Sequence, residues 1–326
     1  MRTRKAIPLA VDAGELSLDS FKSMRELLTI MYRSQAGNFG ELNDFPGTRT
    51  LATPLLNEEF ESVLSKALKQ SKSDPQTGKL DGLFWFTNRR IKMIYPKSDY
   101  KEYPKTLDPD DLWGQVRRTV NGKSISDAQI ALIVEAIRDG LQFSKEDVVL
   151  DVACGNGALS SYFFDDCCSL HGVDYSPYLI EIATKRFQVS GKSTFMVDDA
   201  VHYVQNEPDP GRFTKALCYG SFAYFTEADA RQVLRGLRDR FVNVSRLFIG
   251  NVPDRDRAHL FYRPGTDYTS ELKDHAAQIG IWRSQAEFNT LAADEGWELT
   301  STLMPPGYYA AHYRFDALLT PKARLR

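Results

Sequence analysis

This chain of 326 residues has neither an excess of one charge sign nor a long apolar run. Its 41 Lys and Arg against 43 Asp and Glu leave a formal net charge of −2. Because proteins that coat nucleic acid or anionic membranes need a dominant basic face, we expect neither partner. No stretch approaches the roughly 18 consecutive apolar residues of a transmembrane helix. The apolar run that follows the basic start is too short for a signal peptide, so we expect a cytoplasmic protein.

Cysteine is also scarce, and its pattern does not indicate a metal site. The chain has 4 cysteines, at Cys154, Cys167, Cys168 and Cys218. No C-x-x-C pair occurs, and the adjacent Cys167 and Cys168 are poorly spaced as zinc ligands. We expect all four to be buried free thiols. No cluster of His, Asp and Glu has metal-ligand spacing either, so we predict no metal dependence.

What the chain does contain is enough apolar material for a packed core of about two domains. Apolar residues make up 42% and aromatic residues 12% of the sequence, which excludes a mostly disordered chain. Polar, proline-containing stretches at 70–79 and 96–111 predict loops or linkers. We therefore predict a small N-terminal α+β module of unknown role over 1–106 and a second domain over 107–326. Within the first module the patterns predict helices over 17–34 and 57–69 and a hairpin over 83–95.

Strands and helices alternate regularly from about residue 126 onwards. The predicted strands are 148–152, 169–173, 194–197, 216–219, 246–251, 298–304 and 309–319. The predicted helices are 130–139, ending at Gly140, and 158–165, 177–189, 201–205, 227–241 and 284–295. This order is typical of α/β proteins with a doubly wound parallel sheet. A long charged and aromatic insertion at about 252–281 is interpreted as a substrate lid.

A short acidic and glycine-rich segment carries the strongest functional signal. The residues Asp151-Val152-Ala153-Cys154-Gly155-Asn156-Gly157 lie where a buried strand is predicted to meet a helix. Small residues there allow a tight turn and the close approach of a ligand to the backbone. Asp174 follows 23 residues after Asp151, at the end of the next predicted strand. An acid about 20 residues beyond such a turn binds ribose hydroxyls in nucleotide-binding α/β folds.

The segment differs from a dinucleotide motif. It reads A-x-G-x-G rather than G-x-G-x-x-G, and the carboxylate of Asp151 would repel a pyrophosphate but suits a cationic sulfonium ligand. It resembles the first motif of class I S-adenosylmethionine-dependent methyltransferases, acid-x-G-x-G-x-G, over a likeness that extends from Gln115 to Leu319. Ala153 replaces the first glycine, and we expect it to keep the turn with a negative φ.

The resemblance implies a Rossmann-like, doubly wound sheet of seven strands that ends in a C-terminal antiparallel hairpin. It implies S-adenosylmethionine as cofactor and an enzyme of the small-molecule type. Asp198-Asp199-Ala200 resembles the segment whose acid receives the adenine amino group, and Asp199 is the preferred candidate. Thr214, in the segment that resembles the fourth strand, replaces the usual acid. The implied cofactor-binding residues are Asp151, Ala153, Cys154, Gly155, Asn156, Gly157, Asp174, Tyr175, Asp199, Ala200, Tyr219 and Arg117.

Several of these residues have ordinary structural alternatives that the sequence leaves open. Asp199 is a residue type that caps helices in any case. Cys154 is expected to fill a small space against a helix rather than to act as a nucleophile. Arg117 either contacts the carboxylate of the cofactor or is simply solvated.

Methyl transfer is an in-line displacement that needs alignment, and a base if the acceptor loses a proton. His259 and His312 are the base candidates by residue type, with Tyr219 and Tyr224 as further catalytic candidates; a structural or solvated role for each histidine stays open. The loop Tyr219-Gly220-Ser221-Phe222 lacks the Asn/Asp-Pro-Pro-aromatic sequence of similar DNA amino-methyltransferases.

We therefore predict an O- or N-methyltransferase that acts on a small polar metabolite, such as a sugar or a natural-product intermediate. One alternative is a methyltransferase for a protein or carrier-bound substrate recruited by residues 1–106. Another is a non-catalytic S-adenosylmethionine-binding protein. Homo-oligomerisation stays open.

Overall fold

A computed structural model of the protein describes residues 99–120 and 122–323. Of these, residues 99–119 and 123–323 belong to one compact unit, which carries the features discussed below. The helices and the hairpin expected before residue 99 lie outside the described residues. The division of the chain at residue 106 stays a prediction.

The strands are β1 (Thr119–Val120), β2 (Lys123–Ser124), β3 (Val148–Val152), β4 (Ser169–Asp174), β5 (Ser193–Val197), β6 (Lys215–Tyr219), β7 (Arg246–Pro253), β8 (Trp297–Thr302) and β9 (Arg314–Pro321). The α-helices are α1 (Leu112–Gln115), α2 (Asp127–Leu141), α3 (Pro177–Phe187), α4 (Ala200–Asn206), α5 (Glu227–Asp239) and α6 (Gln285–Asp294). Short 3-10 helices occur at Tyr103–Thr106, Ser160–Phe163, Pro210–Arg212, Phe222–Tyr224, Arg255–Leu260 and Glu271–Lys273.

Seven strands form one sheet in the order β5-β4-β3-β6-β7-β9-β8. The first five of this order are parallel, whereas β9 runs antiparallel to both β7 and β8. After β3, the chain adds β4 and β5 on one side of that strand, and then β6 and β7 on its other side. Open α/β sheets bind ligands at such a reversal, outside the carboxyl ends of the strands. The Rossmann-like sheet with its C-terminal antiparallel hairpin is confirmed.

Local sequence explains most of the element boundaries. Pro177 occupies the first turn of α3 after Ser176, a position where proline costs no hydrogen bond. Ser284 and Glu287 form a reciprocal capping box that begins α6. Along α5, the buried residues Ala230, Val233, Leu234 and Leu237 recur at helical spacing, so that one face of the helix packs on the core.

The expectation that Gly140 ends a helix is wrong. Helix α2 continues to Leu141, and the residue that ends it is Gln142, at a left-handed φ of 50°. Gly140 instead lies against the ring of Phe248 in β7, where an added Cβ would come within 2.4 Å of the ring. Close packing between the helix and the sheet therefore explains this glycine.

Three other expectations need correction. The helix predicted over 158–165 is a single 3-10 turn at Ser160–Phe163. The last strand begins at Arg314 rather than at residue 309, because the chain turns through 306–313 before it joins the sheet. Cys168 is exposed, whereas the other three cysteines are buried.

Candidate functional site

The glycine-rich turn follows the buried strand β3 directly. Ala153, Gly155 and Gly157 have φ values of 57°, 62° and 74°, so the chain reverses through three left-handed residues within five positions. The expected negative φ at Ala153 is wrong, and an L-residue in this region costs about 1–2 kcal/mol. Ser221, in the loop after β6, donates a hydrogen bond to the Ala153 carbonyl at 3.3 Å. Such strain persists where the surrounding structure enforces it, as at ligand sites.

Asp174 closes this turn from the end of β4. Its carboxylate accepts hydrogen bonds from the backbone N–H of Gly155 and of Ser176, each at 2.9 Å. The side chain is buried, and burial raises its pKa to about 6, although the two backbone hydrogen bonds oppose that shift. The carboxylate is thus fixed beside the turn, where the resemblance implies ribose hydroxyls.

A second buried carboxylate, Asp151, lies at the other side of the turn. Ser160 donates a hydrogen bond to it at 2.6 Å. Burial raises the pKa of Asp151 to about 7; the Ser160 hydrogen bond and the charge of Arg118 oppose this, and the charge of Asp174 adds to it. The turn therefore holds two acids whose negative charges the protein compensates only in part.

Asn156 fastens the turn to the segment that precedes the main sheet. Its Nδ2 donates to the Leu112 carbonyl at 2.7 Å and to Gln115 Oε1 at 2.9 Å, and its Oδ1 accepts from the Ala158 N–H at 3.3 Å. Gln115 is itself fully buried and donates to the carbonyls of Asp108 and Pro109. The side chain of Asn156 thus has its polar groups satisfied by protein and orients the backbone of the turn.

Asp199 acts as the N-cap of α4. Its Oδ1 accepts from the backbone N–H of Val201 at 2.9 Å and of His202 at 3.2 Å. The capping role that the sequence left open is therefore present, and it occupies one of the two carboxylate oxygens. The neighbouring Asp198 instead bonds the His202 ring at 2.8 Å. Ala200 is buried, and Tyr175 is 40% exposed.

Cys154 packs as a small apolar side chain. Its sulfur lies in a cluster with Ile180, Ala183 and Phe195, so close to β4 that a Cβ at Gly172 would come within 2.8 Å of it. Burial raises the pKa of this thiol well above its usual value. Its position fits the expected packing role, because a nucleophile requires the thiolate form.

The two adjacent arginines before β1 have different surroundings. The Arg117 guanidinium lies 4.0 Å from the ring centroid of Tyr103 and 5.8 Å from that of Tyr100. Arg118 lies 5.3 Å from the ring of Tyr219, donates to the Tyr219 carbonyl at 3.5 Å and lowers the pKa of Asp151. Sequence reasoning named Arg117 and not Arg118, whose charge affects Asp151; only the fold shows which of the two neighbouring arginines acts on that carboxylate.

Tyrosines surround the carboxyl end of β6. The hydroxyls of Tyr219 and Tyr308 lie 3.2 Å apart, and the Tyr308 and Tyr309 rings are 4.6 Å apart. The Tyr224 hydroxyl accepts from the Tyr100 hydroxyl at 3.2 Å and donates to the Gln278 carbonyl at 2.8 Å. Burial raises the pKa of Tyr219 and Tyr308 well above the usual value, so both phenols stay protonated. Sequence reasoning missed Tyr100 and the pairing of Tyr308 with Tyr219, since partners 124 and 89 residues away leave no local pattern.

The segment that contains the glycine-rich turn matches a known protein family. Residues 149–241, from β3 to the end of α5, match the family described as "Methyltransferase domain". The matched segment contains the glycine-rich turn, Asp174 and Asp199.

The match covers less than a third of the chain and agrees with the methyltransferase resemblance of its sequence. The expected cofactor of this domain, S-adenosylmethionine, is confirmed with the family.

Individual relatives are distant. The magnesium-protoporphyrin O-methyltransferase of Rhodobacter capsulatus is 26% identical over 153 residues, which is 46% of this chain and 64% of that protein. The chain thus spans less than two thirds of this relative. Among solved structures, magnesium protoporphyrin IX methyltransferase of Synechocystis PCC 6803 aligns with a TM-score of 0.45 at 15% identity, over 65% of this chain and 94% of that one. A geranyl diphosphate methyltransferase aligns with a TM-score of 0.44 at 14% identity, over 61% and 84%.

The two candidate histidines lie at the surface, outside the segment 149–241 that matches a methyltransferase domain. His259 is exposed on the 3-10 helix Arg255–Leu260. His312 is also exposed; its ring meets Tyr313 edge-on at 4.7 Å, and partial burial followed by the charge of Arg314 lowers its pKa. No hydrogen bond within the described residues joins either imidazole to the Tyr219–Tyr308 pair. Their role as bases stays a prediction.

Thr214 lies at the amino ends of the parallel strands, whereas the candidate site lies at their carboxyl ends. It precedes β6, and its hydroxyl donates to Asp147 at 2.7 Å and accepts from the Val148 N–H at 3.1 Å. The threonine therefore connects the amino ends of two strands. Thr214 replaces the acid of similar proteins at this place, which is distant from the carboxyl ends of the strands, where the glycine-rich turn lies.

The expected lid begins later than the sequence suggested, since β7 includes residues 252 and 253. The following stretch contains two short 3-10 helices. Phe261 and the adjoining Trp282 pack with Tyr313, and Tyr262 packs with Trp282. The Ile281 N–H donates to the Ala223 carbonyl at 2.7 Å, which joins this stretch to the loop after β6. A lid function stays a prediction.

Over 99–120 and 122–323, no group of three or more His, Cys, Asp and Glu side chains is placed to hold a metal ion. None of the helices in these ranges has the length and apolar character needed to cross a bilayer.

Proposed function

We propose that the chain transfers a methyl group from S-adenosylmethionine to an oxygen or nitrogen of a small polar metabolite, for example a sugar or a natural-product intermediate. One observation carries the proposal. The Asp174 carboxylate is held by backbone N–H groups beside a left-handed glycine-rich turn, inside the segment that matches a methyltransferase domain.

The residues at this edge of the sheet fit the cofactor. Asp174 presents a fixed carboxylate for two ribose hydroxyls, and Asp199 retains one carboxylate oxygen that its capping role does not use. The incompletely compensated charge around Asp151 suits a cationic ligand, and Arg118, whose charge lowers the pKa of Asp151, is a candidate partner for the carboxylate of an amino acid moiety. When bound, S-adenosylmethionine supplies an electrophilic methyl group on a sulfonium.

The protein supplies alignment and a dry environment. The buried Tyr219–Tyr308 pair excludes water at the end of β6 and presents hydroxyls that can orient a polar acceptor. Because the raised pKa keeps these phenols protonated, they act as hydrogen-bond donors rather than as bases. His259 and His312 remain the candidates for a base where the acceptor must lose its proton.

Residues after β6 and the charge of the chain favour a small acceptor. The Tyr219-Gly220-Ser221-Phe222 loop lacks the proline pair of DNA amino-methyltransferases, and the net charge of −2 does not favour nucleic acid. The relative from Rhodobacter capsulatus is named for O-methylation of magnesium-protoporphyrin, a small molecule. The specific acceptor proposed here does not follow from that name.

Transfer of a radiolabelled methyl group tests this proposal. The purified full chain is incubated with methyl-labelled S-adenosylmethionine and a panel of amino sugars, deoxy sugars, other amines and alcohols. We expect label in at least one small product and none with the Asp174→Ala variant, which lacks the ribose-binding carboxylate. Label that enters only protein or carrier-bound material would replace this proposal with the macromolecular alternative. Donor binding without transfer to any acceptor would support the non-catalytic alternative.

A further inference from the structure

Residues 99–107, which we call the strap, lie directly before the segment that is fastened to the glycine-rich turn. At the start of the strap, Asp99 Oδ1 accepts hydrogen bonds from the backbone N–H of Lys101 at 2.9 Å and of Glu102 at 3.0 Å. The side chains of Lys101 and Glu102 are exposed, whereas Tyr100 between them and Asp99 is partly buried. Tyr100 therefore turns from the strap towards the main sheet.

Tyr100 contacts residues that follow two different strands. On one side, its hydroxyl donates to the Tyr224 hydroxyl at 3.2 Å, and the two rings meet edge-on with their centroids 5.3 Å apart. On the other side, burial and the charge of Asp174 raise the pKa of Tyr175, and the backbone of Tyr100 opposes this shift. The Nζ of the neighbouring Lys101 lies 5.0 Å from the centroid of the Tyr175 ring. The strap therefore contacts Tyr175 and Tyr224 together.

The order of the strands shows what the strap crosses. Tyr175 follows β4 directly, Tyr224 lies in the loop after β6, and β3 lies between these two strands in the sheet. A residue that contacts both sides therefore passes over the carboxyl end of β3, where the glycine-rich turn begins. Open α/β sheets bind their ligands at this place. The proposed S-adenosylmethionine site thus lies beneath the strap.

The strap and the residues after it are fastened differently. Beyond the strap, side chains of the main unit bond the backbone: Arg186 donates to the Pro109 carbonyl at 3.1 Å, and Asn156 donates to the Leu112 carbonyl at 2.7 Å. At Tyr100 the connection to the loop after β6 is a hydroxyl–hydroxyl hydrogen bond, which is weaker than one that involves a charged group. The strap can therefore open at Tyr100 while the residues after it stay in place.

The Tyr224 hydroxyl also contacts the stretch that is interpreted as a substrate lid. It donates to the Gln278 carbonyl at 2.8 Å, next to the bond at 2.7 Å between the Ile281 N–H and the Ala223 carbonyl. Burial raises the pKa of Tyr100 well above its usual value, so its hydroxyl keeps the proton that it donates to Tyr224. A continuous chain of hydrogen bonds thus joins the strap, the loop after β6 and this stretch.

We propose that the strap is a gate over the donor site, and that the Tyr100–Tyr224 hydrogen bond is the latch that breaks each time S-adenosylmethionine enters or S-adenosylhomocysteine leaves. The inference rests on the proposed function. The latch joins two protein groups, so it closes in the same way over an empty and an occupied site. Weakening it raises the open fraction of both forms alike, and entry and release accelerate together.

Surface plasmon resonance with S-adenosylhomocysteine over the immobilised full chain measures the association and dissociation rate constants. Tyr100→Phe removes the hydroxyl and keeps the ring contact with Tyr224. Tyr224→Phe removes the same hydrogen bond from its other partner, and it decides the question if Tyr100→Phe does not fold. Tyr103→Phe is the matched control within the strap, because the Tyr103 ring lies 4.0 Å from the Arg117 guanidinium and a phenylalanine ring keeps that contact.

We expect both rate constants to rise about fivefold in Tyr100→Phe, as for the loss of one neutral hydrogen bond, with a Kd close to that of the unaltered protein. Tyr224→Phe, which also loses its bond to Gln278, should accelerate exchange at least as much, and the double variant should be no faster than Tyr224→Phe alone. Unchanged rates, a weaker Kd without faster association, additive acceleration in the double variant, or equal acceleration in Tyr103→Phe would overturn the inference. Failure of the unaltered protein to bind S-adenosylhomocysteine would instead overturn the proposed function on which it rests.

Discussion

Asp199 combines two roles at the level of a single side chain, a helix cap and a candidate adenine ligand. Because serine is an equally good N-cap but is too short to reach a ligand, Asp199→Ser should leave folding stability nearly unchanged. We expect it to weaken S-adenosylhomocysteine binding about tenfold, since hydrogen bonds to charged groups contribute roughly 1.5–3 kcal/mol. Calorimetry and thermal denaturation of the same variant measure the two effects separately.

Asp198 provides the matched control for this experiment. It is the adjacent acid, and its carboxylate bonds the ring of His202 and the backbone N–H of Asp199 rather than the N–H groups of Val201 and His202. Asp198→Ser is expected to bind S-adenosylhomocysteine as the unaltered protein does. If Asp198→Ser loses affinity and Asp199→Ser does not, the adenine ligand has been assigned to the wrong residue.

Local spacing made part of the candidate site predictable. Asp151 and Asp174 end neighbouring strands, so a turn between them follows from the strand pattern alone. The contacts between residues far apart in the sequence could not be predicted from this spacing. Tyr308 reaches Tyr219 from 89 residues away, and Arg118 differs from Arg117 only in the direction that the fold gives it. The left-handed φ of Ala153 was also unpredictable, because alanine usually avoids that conformation.

At the level of elements, the contact between α2 and β7 depends on Gly140. An added methyl group would come within 2.4 Å of the Phe248 ring, and overpacking of this kind costs roughly 1–3 kcal/mol. The better helix propensity of alanine offsets at most about 1 kcal/mol of this destabilisation. We therefore expect Gly140→Ala to lower the free energy of unfolding by about 1–2 kcal/mol in urea denaturation.

Gly211 offers a comparison for the same substitution. The nearest atom to an added Cβ there is 4.0 Å away, and its φ is not in the left-handed region. Gly211→Ala should leave stability unchanged or slightly higher. Equal stability of Gly140→Ala and Gly211→Ala would mean that α2 can shift away from the sheet without cost.

Element types were predicted more accurately than element ends. Every strand of the seven-stranded sheet was expected close to where it occurs, because its apolar runs are bounded by turn residues. The errors arose where packing overrides local signals. Glycine at 140 reflects an aromatic neighbour rather than a helix end, and the turn after Gly157 is too tight for the helix expected at 158–165.

For the whole molecule, the buried acids of the site predict a dependence of stability on pH. Burial raises the pKa of Asp151 from 3.8 to about 7 and that of Asp174 to about 6. The folded state therefore binds more protons than the unfolded state between about pH 4 and pH 7. The stability that this protonation gives is complete below about pH 4 and is lost as the pH rises through about 7.

Asp151→Asn isolates this effect, because an amide stays neutral and can still accept the hydrogen bond from Ser160. We expect the variant to be more stable than the unaltered protein at pH 8 and close to it at pH 4, as measured by urea denaturation. Replacing the exposed Asp165 by Asn should leave the pH profile unchanged. A variant that is less stable than the unaltered protein at pH 8 would show that ionised Asp151 is stabilising.

The central claim is that the edge of the sheet around Asp174 binds S-adenosylmethionine. Titration of S-adenosylmethionine and S-adenosylhomocysteine into the folded full chain by calorimetry tests it most directly, with Asp174→Ala as the paired variant. The account predicts micromolar binding of both ligands to one shared site, and severe weakening in the variant because two ribose hydroxyls lose a charged acceptor. Absence of binding by the folded protein, or equal binding by Asp174→Ala, would contradict it.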